Sequence, residues 1–237
     1  MQSVQAEFMR PRPTAERPLL GQTIMVVEDS HVASETLRLM CLRSGARIRR
    51  ADSLKSAGRH LCTYRPSIAI VDMGLPDGSG ADLITSLAGA RHRVQVLLAT
   101  SGDPASLEEA QEAGADGTLA KPLSKLATFQ AEILSRLSES EQPSGPRPLP
   151  MEEIVPDPAA LRDDFAHLQV LLAAPNASGT TRYAAGFALG VAQSCGDAEM
   201  VAAAEALLRA CHDGLPLVPP REALLDAVRT HLDPAPA

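Results

Sequence analysis

Short apolar segments alternate with helical segments along residues 21–138, and this alternation most constrains the fold. Runs typical of β-strands lie at residues 23–27, 46–51, 67–71, 94–99 and 117–120. A segment with helical spacing of apolar residues follows each run, at residues 31–45, 53–64, 79–90, 104–114 and 124–137. Continuous apolar strands that alternate with helices indicate a parallel sheet covered on both faces. The predicted fold class is therefore α/β, a doubly wound (βα)5 sheet.

The chain changes character towards its C-terminus, where no strand pattern occurs. Helical segments are predicted near residues 157–173, 180–195, 197–212 and 220–231. In the first of them, Leu161, Phe165 and Leu168 share one face of a helix. We expect residues 157–233 to form a small all-α domain that serves output or dimerisation.

Proline-containing segments flank the α/β part on both sides. Residues 1–20 interleave proline with arginine and have no periodic apolar face, which predicts a flexible arm. Residues 139–156 are rich in proline and predict an extended linker between the two domains. The predicted domains are therefore 21–138 and 157–233.

Acidic residues are unevenly distributed over the 237-residue chain, whose net charge is −7. Residues 151–237 contain 12 Asp and Glu against 5 Arg and no Lys, so the first 150 residues sum to about zero. Because nucleic-acid affinity comes largely from Lys and Arg, this balance argues against DNA as a partner of the helical part.

Cysteine usage and hydropathy indicate a cytoplasmic protein with no membrane association. The four cysteines form no CxxC pair and read as reduced thiols. The N-terminus has no run suited to a signal peptide, and the longest uncharged stretch that leans apolar, residues 183–196, is too short to cross a bilayer.

Polar side chains follow the predicted strands at their carboxyl ends. Glu28 and Asp29 follow the first strand, Asp72 the third, Thr100 the fourth and Lys121 the fifth. In a doubly wound sheet, residues at these ends converge on one edge, where ligands bind. We therefore expect three carboxylates, a hydroxyl and an ammonium group to meet there.

This group of side chains suits phosphoryl chemistry. Three clustered carboxylates raise one another's pKa unless a cation lies among them, and an oxygen-only ligand set favours Mg²⁺. A carboxylate beside Mg²⁺ can attack phosphorus to give an aspartyl phosphate, while an ammonium group and a hydroxyl bind the phosphoryl oxygens.

Four motifs in order resemble the receiver domain of bacterial two-component response regulators. They are VVEDS (26–30), IVDMGLPDGSG (70–80), LLATSG (97–102) and AKP (120–122). The resemblance covers residues 21–138 and implies a flavodoxin-like fold. The helical C-terminal part resembles no family that we recognise.

The resemblance implies a role for each matching residue. Asp72 is the phosphoacceptor, and it would bind Mg²⁺ together with Glu28, Asp29 and the backbone carbonyl of Gly74. Thr100 and Lys121 would face the phosphoryl group, and the Lys121–Pro122 peptide would be cis. The donor would be a histidine kinase or a phosphotransfer protein, and the domain would catalyse its own phosphorylation and the hydrolysis that reverses it.

Thr118 stands where many receivers have Tyr or Phe, so signal transmission through an aromatic ring is not available. A haloacid-type phosphatase would need a second Asp two residues after Asp72, where Gly74 stands instead. His31 follows the acidic pair, but a surface position at the start of a helix explains it better than Mg²⁺ binding, because Mg²⁺ prefers oxygen.

The function predicted from the sequence is phosphorylation-controlled signalling, with no enzymatic activity apart from phosphoryl transfer to Asp72 and its hydrolysis. The helical domain would contact an unknown downstream protein or form a homodimer. Two alternatives stay open: a receiver-gated enzyme with an unrecognised helical output, and a phosphorelay intermediate that uses His167.

Overall fold

The computed structural model describes residues 11–174 and 178–232. Its strands are β1 (Thr23–Val27), β2 (Arg47–Ala51), β3 (Ile68–Asp72), β4 (Gly74–Leu75), β5 (Gly78–Ser79), β6 (Val96–Ser101) and β7 (Gly117–Ala120). Its α-helices are α1 (His31–Arg43), α2 (Leu54–Thr63), α3 (Gly80–Ala88), α4 (Pro104–Glu112), α5 (Leu126–Leu134), α6 (Pro158–Ala173), α7 (Ser178–Cys195), α8 (Ala198–Asp213) and α9 (Val218–Leu232).

The five longer strands form one parallel sheet in the order β2-β1-β3-β6-β7. This is the flavodoxin-like order, and it confirms the predicted fold class. The short strands β4 and β5 pair as an antiparallel hairpin directly after β3. Asp72 is in register with Thr100 of β6, so the ends of the two central strands lie side by side.

Burial follows the apolar pattern of each strand. Every residue of β3 and β6 is buried, because these strands lie inside the sheet and are covered on both faces. In β2, an edge strand, only Ala51 is buried, and the three arginines of the strand are exposed. The predicted fourth strand began at Val94, two residues before β6 begins.

Two apolar clusters cover the two faces of the sheet, and a third holds the C-terminal helices together. The first sheet cluster centres on Ile70, Leu98 and Phe129. The second includes Val71 and Ile84. The third lies among α6, α7, α8 and α9, and this four-helix arrangement bears out the predicted all-α part.

The N-terminal segment and the proline-rich segment both pack against the α/β part. Leu19 is fully buried in the core, and its backbone amide donates a 2.9 Å hydrogen bond to the carbonyl of Ser44. The arm predicted for residues 1–20 therefore does not extend to residue 20, because an apolar side chain there fills the core; residues 1–10 lie outside the described part. In the segment predicted as a linker, Ile154 is buried, and its amide donates a 2.8 Å bond to the carbonyl of Ser124.

The C-terminal helices lie directly on the α/β part. Helices α6 and α7 contact α1, and α7 also contacts β4 at the carboxyl edge of the sheet. Among residues 11–174 and 178–232, no helix is both long and apolar enough to span a membrane.

Candidate phosphorylation site

The carboxyl edge of the sheet brings together the side chains that the strand-end argument selected. Oxygens of Glu28, Asp29 and Asp72 all lie within 4.8 Å of one another. The Lys121 ammonium lies 2.9 Å from a Glu28 oxygen and 3.2 Å from an Asp72 oxygen. The Lys121–Pro122 peptide that follows β7 is cis, as the resemblance implied.

Negative charge exceeds positive charge in this buried group. The side chains of Glu28 and Asp72 are 0% and 9% exposed, and that of Lys121 is 7% exposed. Burial raises the pKa of Glu28 well above its usual range, and the Asp72 carboxylate adds to this. Burial also raises the pKa of Asp29 to about 7, although a hydrogen bond from Tyr183 opposes the shift. Burial alone would lower the pKa of Lys121, but the charges of Asp72 and Glu28 outweigh it and raise that pKa.

Besides Oε2 of Glu28, which lies 2.9 Å from the Lys121 ammonium, two further polar atoms of the site lack hydrogen-bond partners within the described part of the chain. They are Oδ1 of Asp29 and the hydroxyl oxygen of Thr100, and both are buried. Buried polar atoms are rarely left unpaired in native proteins, so these two fit a group that is not part of the chain. Carboxylate oxygens suit Mg²⁺, and a threonine hydroxyl suits a phosphoryl oxygen.

The loop after β3 shapes the space beside Asp72. Gly74 lines the same cavity as Asp72, and no atom lies within 4 Å of where its Cβ would be. Gly80, in contrast, packs on the backbone of β3: a Cβ there would lie 2.1 Å from the Asp72 carbonyl oxygen. The loop therefore leaves open space on the Gly74 side of Asp72, and Gly80 packs closely against the Asp72 backbone on the other side.

Three further residues near the site have other surroundings. Thr118 is half-buried in β7, in register with Ala99 one residue before Thr100. His31 is a largely exposed first residue of α1 and lies 3.6 Å from Asp163. Asp77, in the loop after β3, accepts hydrogen bonds from the backbone amides of Leu54 and Lys55 and so caps α2.

The C-terminal helices contribute side chains to the site that the sequence did not reveal. Tyr183 of α7 donates a hydrogen bond to Oδ2 of Asp29. Asp164 of α6 accepts hydrogen bonds from Ser30 and from the first amides of α1. The residues of each pair lie more than a hundred positions apart, and no local pattern marks either contact. Only the docking of α6 and α7 on α1 brings them together.

A cavity of about 740 Å³ lies between the carboxyl edge of the sheet and the C-terminal helices. Asp72 and Lys121 line it on one side, and His167, Tyr183 and Phe187 line it on the other. The candidate site is therefore bounded by both parts of the chain.

Comparison with protein families identifies the α/β part. Residues 24–132 match the family model described as the response regulator receiver domain. These residues form a receiver domain of that family, and the match ends before α6.

Two curated relatives that match this part of the chain are named as transcriptional regulatory proteins. The KDP operon transcriptional regulatory protein KdpE of Escherichia coli is 29% identical over 126 residues, which are 53% of this chain and 56% of that protein. The virulence transcriptional regulatory protein PhoP of Salmonella typhimurium is 32% identical over 100 residues, 42% of this chain and 45% of that protein. The chain thus matches about half the length of these relatives.

Solved receiver structures match the same part of the chain. A putative response regulator from Chloroflexus aurantiacus is 26% identical, with a TM-score of 0.45, and the match covers 48% of this chain and 95% of that one. The receiver domain of the sensor histidine kinase PA1611 from Pseudomonas aeruginosa was solved with magnesium in its active-site cleft. It is 24% identical with a TM-score of 0.44, and the match covers 48% of this chain and 96% of that one.

Proposed function

We propose that this protein is a two-component response regulator in which Asp72 accepts a phosphoryl group in a Mg²⁺-dependent reaction. The observation that carries this proposal is the buried cluster of Glu28, Asp29, Asp72 and Lys121 at the carboxyl edge of a receiver fold. The donor is a histidine kinase or a phosphotransfer protein. A cytoplasmic location belongs to the same proposal, because the response regulator family is soluble.

The reaction assigns one task to each side chain. A carboxylate oxygen of Asp72 attacks the phosphorus of a phosphohistidine, the bond from phosphorus to the donor nitrogen breaks, and its electron pair stays on the imidazole, which takes up a proton. Lys121 and the Thr100 hydroxyl bind phosphoryl oxygens. Glu28, Asp29, Asp72 and the Gly74 carbonyl would hold Mg²⁺, which when bound supplies positive charge next to the transferred group. Attack by water on phosphorus breaks its bond to the Asp72 oxygen, which returns the free carboxylate and releases inorganic phosphate.

The output that we propose is a protein–protein contact made by the C-terminal helices. The curated relatives are transcriptional regulators by name, so DNA is the competing partner. The excess of carboxylates over arginines in residues 151–237 favours a protein over a phosphate backbone. The downstream protein is unidentified, and a second copy of this chain is one candidate.

A second candidate function is phosphorelay through His167. This histidine is exposed on α6, lines the same cavity as Asp72, and meets Phe187 edge-on with ring centroids 5.4 Å apart. Phosphohistidine survives alkali, whereas an acyl phosphate does not. Alkali-stable label that disappears in His167→Asn would therefore support this second role.

The proposed function is tested by incubating the full chain with Mg²⁺ and acetyl phosphate and measuring the intact mass. We expect one added phosphoryl group in the wild type and none in Asp72→Asn or in the presence of a chelator. Asp82→Asn is the matched control, because Asp82 is an exposed carboxylate in the first turn of α3, and it should be labelled like the wild type. A wild-type protein that never gains mass, or an Asp72→Asn protein that still does, would refute the proposal.

A further inference from the structure

One face of α7 lies across the carboxyl edge of the sheet and meets three strand ends. Tyr183 donates its hydroxyl to Oδ2 of Asp29, after β1. The backbone at Gly190 approaches Lys121, after β7: a Cβ there would lie 3.5 Å from Cδ of the lysine. Gln193 donates a 3.0 Å hydrogen bond to the carbonyl of Gly102, after β6.

The contact at Asp29 affects the oxygens available to a metal. One oxygen of Asp29 accepts the Tyr183 hydrogen bond, and the other is buried without a partner among the described residues. Mg²⁺ demands near-octahedral geometry and keeps several of its waters, so it needs free space and a freely oriented carboxylate. Tyr183 holds this carboxylate in a direction set by α7 and places an aromatic ring beside it.

The other two contacts involve groups that a phosphoryl group would engage. Lys121 now pairs with Glu28 and Asp72, and it would turn towards the phosphoryl oxygens beneath the backbone of Gly190. The Thr100 hydroxyl has no hydrogen-bond partner among residues 11–174 and 178–232. A change at the end of β6 that directs this hydroxyl to the phosphoryl group would also move the carbonyl of Gly102, which Gln193 binds. Lys121 therefore lies against α7, and Thr100 is two residues from a backbone group that α7 binds.

We propose that Tyr183 is a positioning residue of the phosphorylation site, and that docking of α7 and occupation of the site by Mg²⁺ and a phosphoryl group oppose each other. Phosphorylation then releases α7 from the receiver and exposes its docking face. Coupling between two binding events is reciprocal, so a docked α7 weakens phosphoryl binding by the same factor. This inference rests on the proposed phosphorylation of Asp72.

The chain offers a direct probe of this contact, because it has two tyrosines and no tryptophan. In Tyr64→Phe, Tyr183 is the only source of tyrosine fluorescence; the hydroxyl that is removed has no hydrogen-bond partner among the described residues. A tyrosine bonded to a carboxylate is quenched. Adding Mg²⁺ and beryllofluoride, a mimic of the phosphoryl group, should therefore raise the Tyr183 fluorescence.

Fluorine NMR of the bound beryllofluoride reports on the same samples whether Asp72 is occupied. Bound beryllofluoride with no change in Tyr183 fluorescence overturns the inference and leaves the proposed function intact. No bound beryllofluoride at all counts against the proposed function. Bound beryllofluoride with a rise in fluorescence supports both.

A second variant, Tyr183→Phe, shows whether the Tyr183 hydroxyl opposes or assists binding of beryllofluoride at the site. It removes one hydrogen bond to a charged group, so we expect half-saturation at a beryllofluoride concentration lower by at least about tenfold. Tyr64→Phe is the matched control and should leave that concentration unchanged. An unchanged or higher midpoint in Tyr183→Phe would overturn the inference, because Tyr183 would then be neutral or helpful to the occupied site.

Discussion

Asp164 accepts a 2.8 Å hydrogen bond from the hydroxyl of Ser30, which lies 134 residues earlier in the chain. The same carboxylate accepts bonds of 2.8 and 3.0 Å from the backbone amides of His31 and Val32. It is 1% exposed. The first amides of a helix have no partners inside it and carry partial positive charge. Asp164 therefore caps α1 and attaches α6 to the receiver.

Replacing Asp164 by alanine removes the acceptor for the Ser30 hydroxyl and for the amides of His31 and Val32, of which the Val32 amide is buried. We expect the free energy of unfolding to fall by about 2–3 kcal/mol, measured by urea denaturation with circular dichroism. Asp163→Ala is the matched control, since Asp163 is 67% exposed and contacts His31 at 3.6 Å; its cost should stay below about 0.5 kcal/mol. Equal losses in the two variants would contradict the capping role.

Lys121 is the cation that balances the buried carboxylates, so its removal should make the protein depend more on Mg²⁺. We expect Lys121→Met to lower the free energy of unfolding by about 3 kcal/mol without Mg²⁺, because two buried charges lose their partner. Saturating Mg²⁺ should recover part of this loss.

The matched control for that experiment is Lys125→Met. Lys125 is exposed just before α5, so its replacement should change neither the stability nor the response to Mg²⁺. The measurement is the urea midpoint of each protein with Mg²⁺ and with a chelator. If Mg²⁺ stabilises Lys121→Met no more than it stabilises the wild type, the charge balance described above is wrong.

Gly80 packs against the backbone that carries Asp72, so a methyl group there should be costly. Its Cβ would lie 2.1 Å from the Asp72 carbonyl oxygen and 2.9 Å from Cα of Met73. Backbone atoms cannot turn aside as a side chain can, and we expect Gly80→Ala to cost about 3 kcal/mol of stability.

Gly58 provides the opposite expectation within the same domain. It lies in α2 with no atom within 4 Å of its would-be Cβ. Because alanine loses less backbone entropy than glycine in a helix, Gly58→Ala should stabilise the protein by about 0.5–1 kcal/mol. Thermal unfolding of both variants checks the pair, and a Gly80→Ala protein as stable as the wild type would contradict the close packing at β3.

The cysteines should differ sharply in reactivity. Burial raises the pKa of the Cys41 thiol from 9.0 to about 12, whereas Cys62 is exposed. At mildly alkaline pH, a thiol reagent should modify Cys62 quickly and Cys41 only on unfolding, as mapped by mass spectrometry. Cys62→Ser should remove the fast phase. Rapid modification of native Cys41 would contradict its burial.

The same shift sets the sign of a pH effect on stability. The unfolded chain loses the Cys41 proton near pH 9, while the native thiol keeps it to about pH 12. The unfolded state then binds fewer protons, so stability falls as pH rises through this window. Cys41→Ala should fall less steeply than the wild type over the same range in urea titrations.

Local patterns were enough to predict the sheet and the convergence of strand-end side chains. The carboxyl ends of parallel strands meet at one edge whatever the details of packing. This is why Glu28 and Asp72, 44 positions apart in the sequence, could be assigned to one pocket. Helix ends were predicted less well: the segment expected at 124–137 forms α5 only over Leu126–Leu134, because the residues at helix ends are held by local hydrogen bonds that periodicity does not detect.

The sequence by itself determined the class of the first domain and the set of side chains at the edge of its sheet. The apolar patterns of strands and helices, and the order in which these elements follow one another, can both be read from short stretches of the chain. Only the tertiary structure decided that α7 covers this edge, that Tyr183 meets Asp29 and that Asp164 caps α1. Those contacts depend on how the two parts dock, which follows from shape, charge and unpaired polar groups on distant surfaces. No spacing along the chain encodes such a match in a readable form.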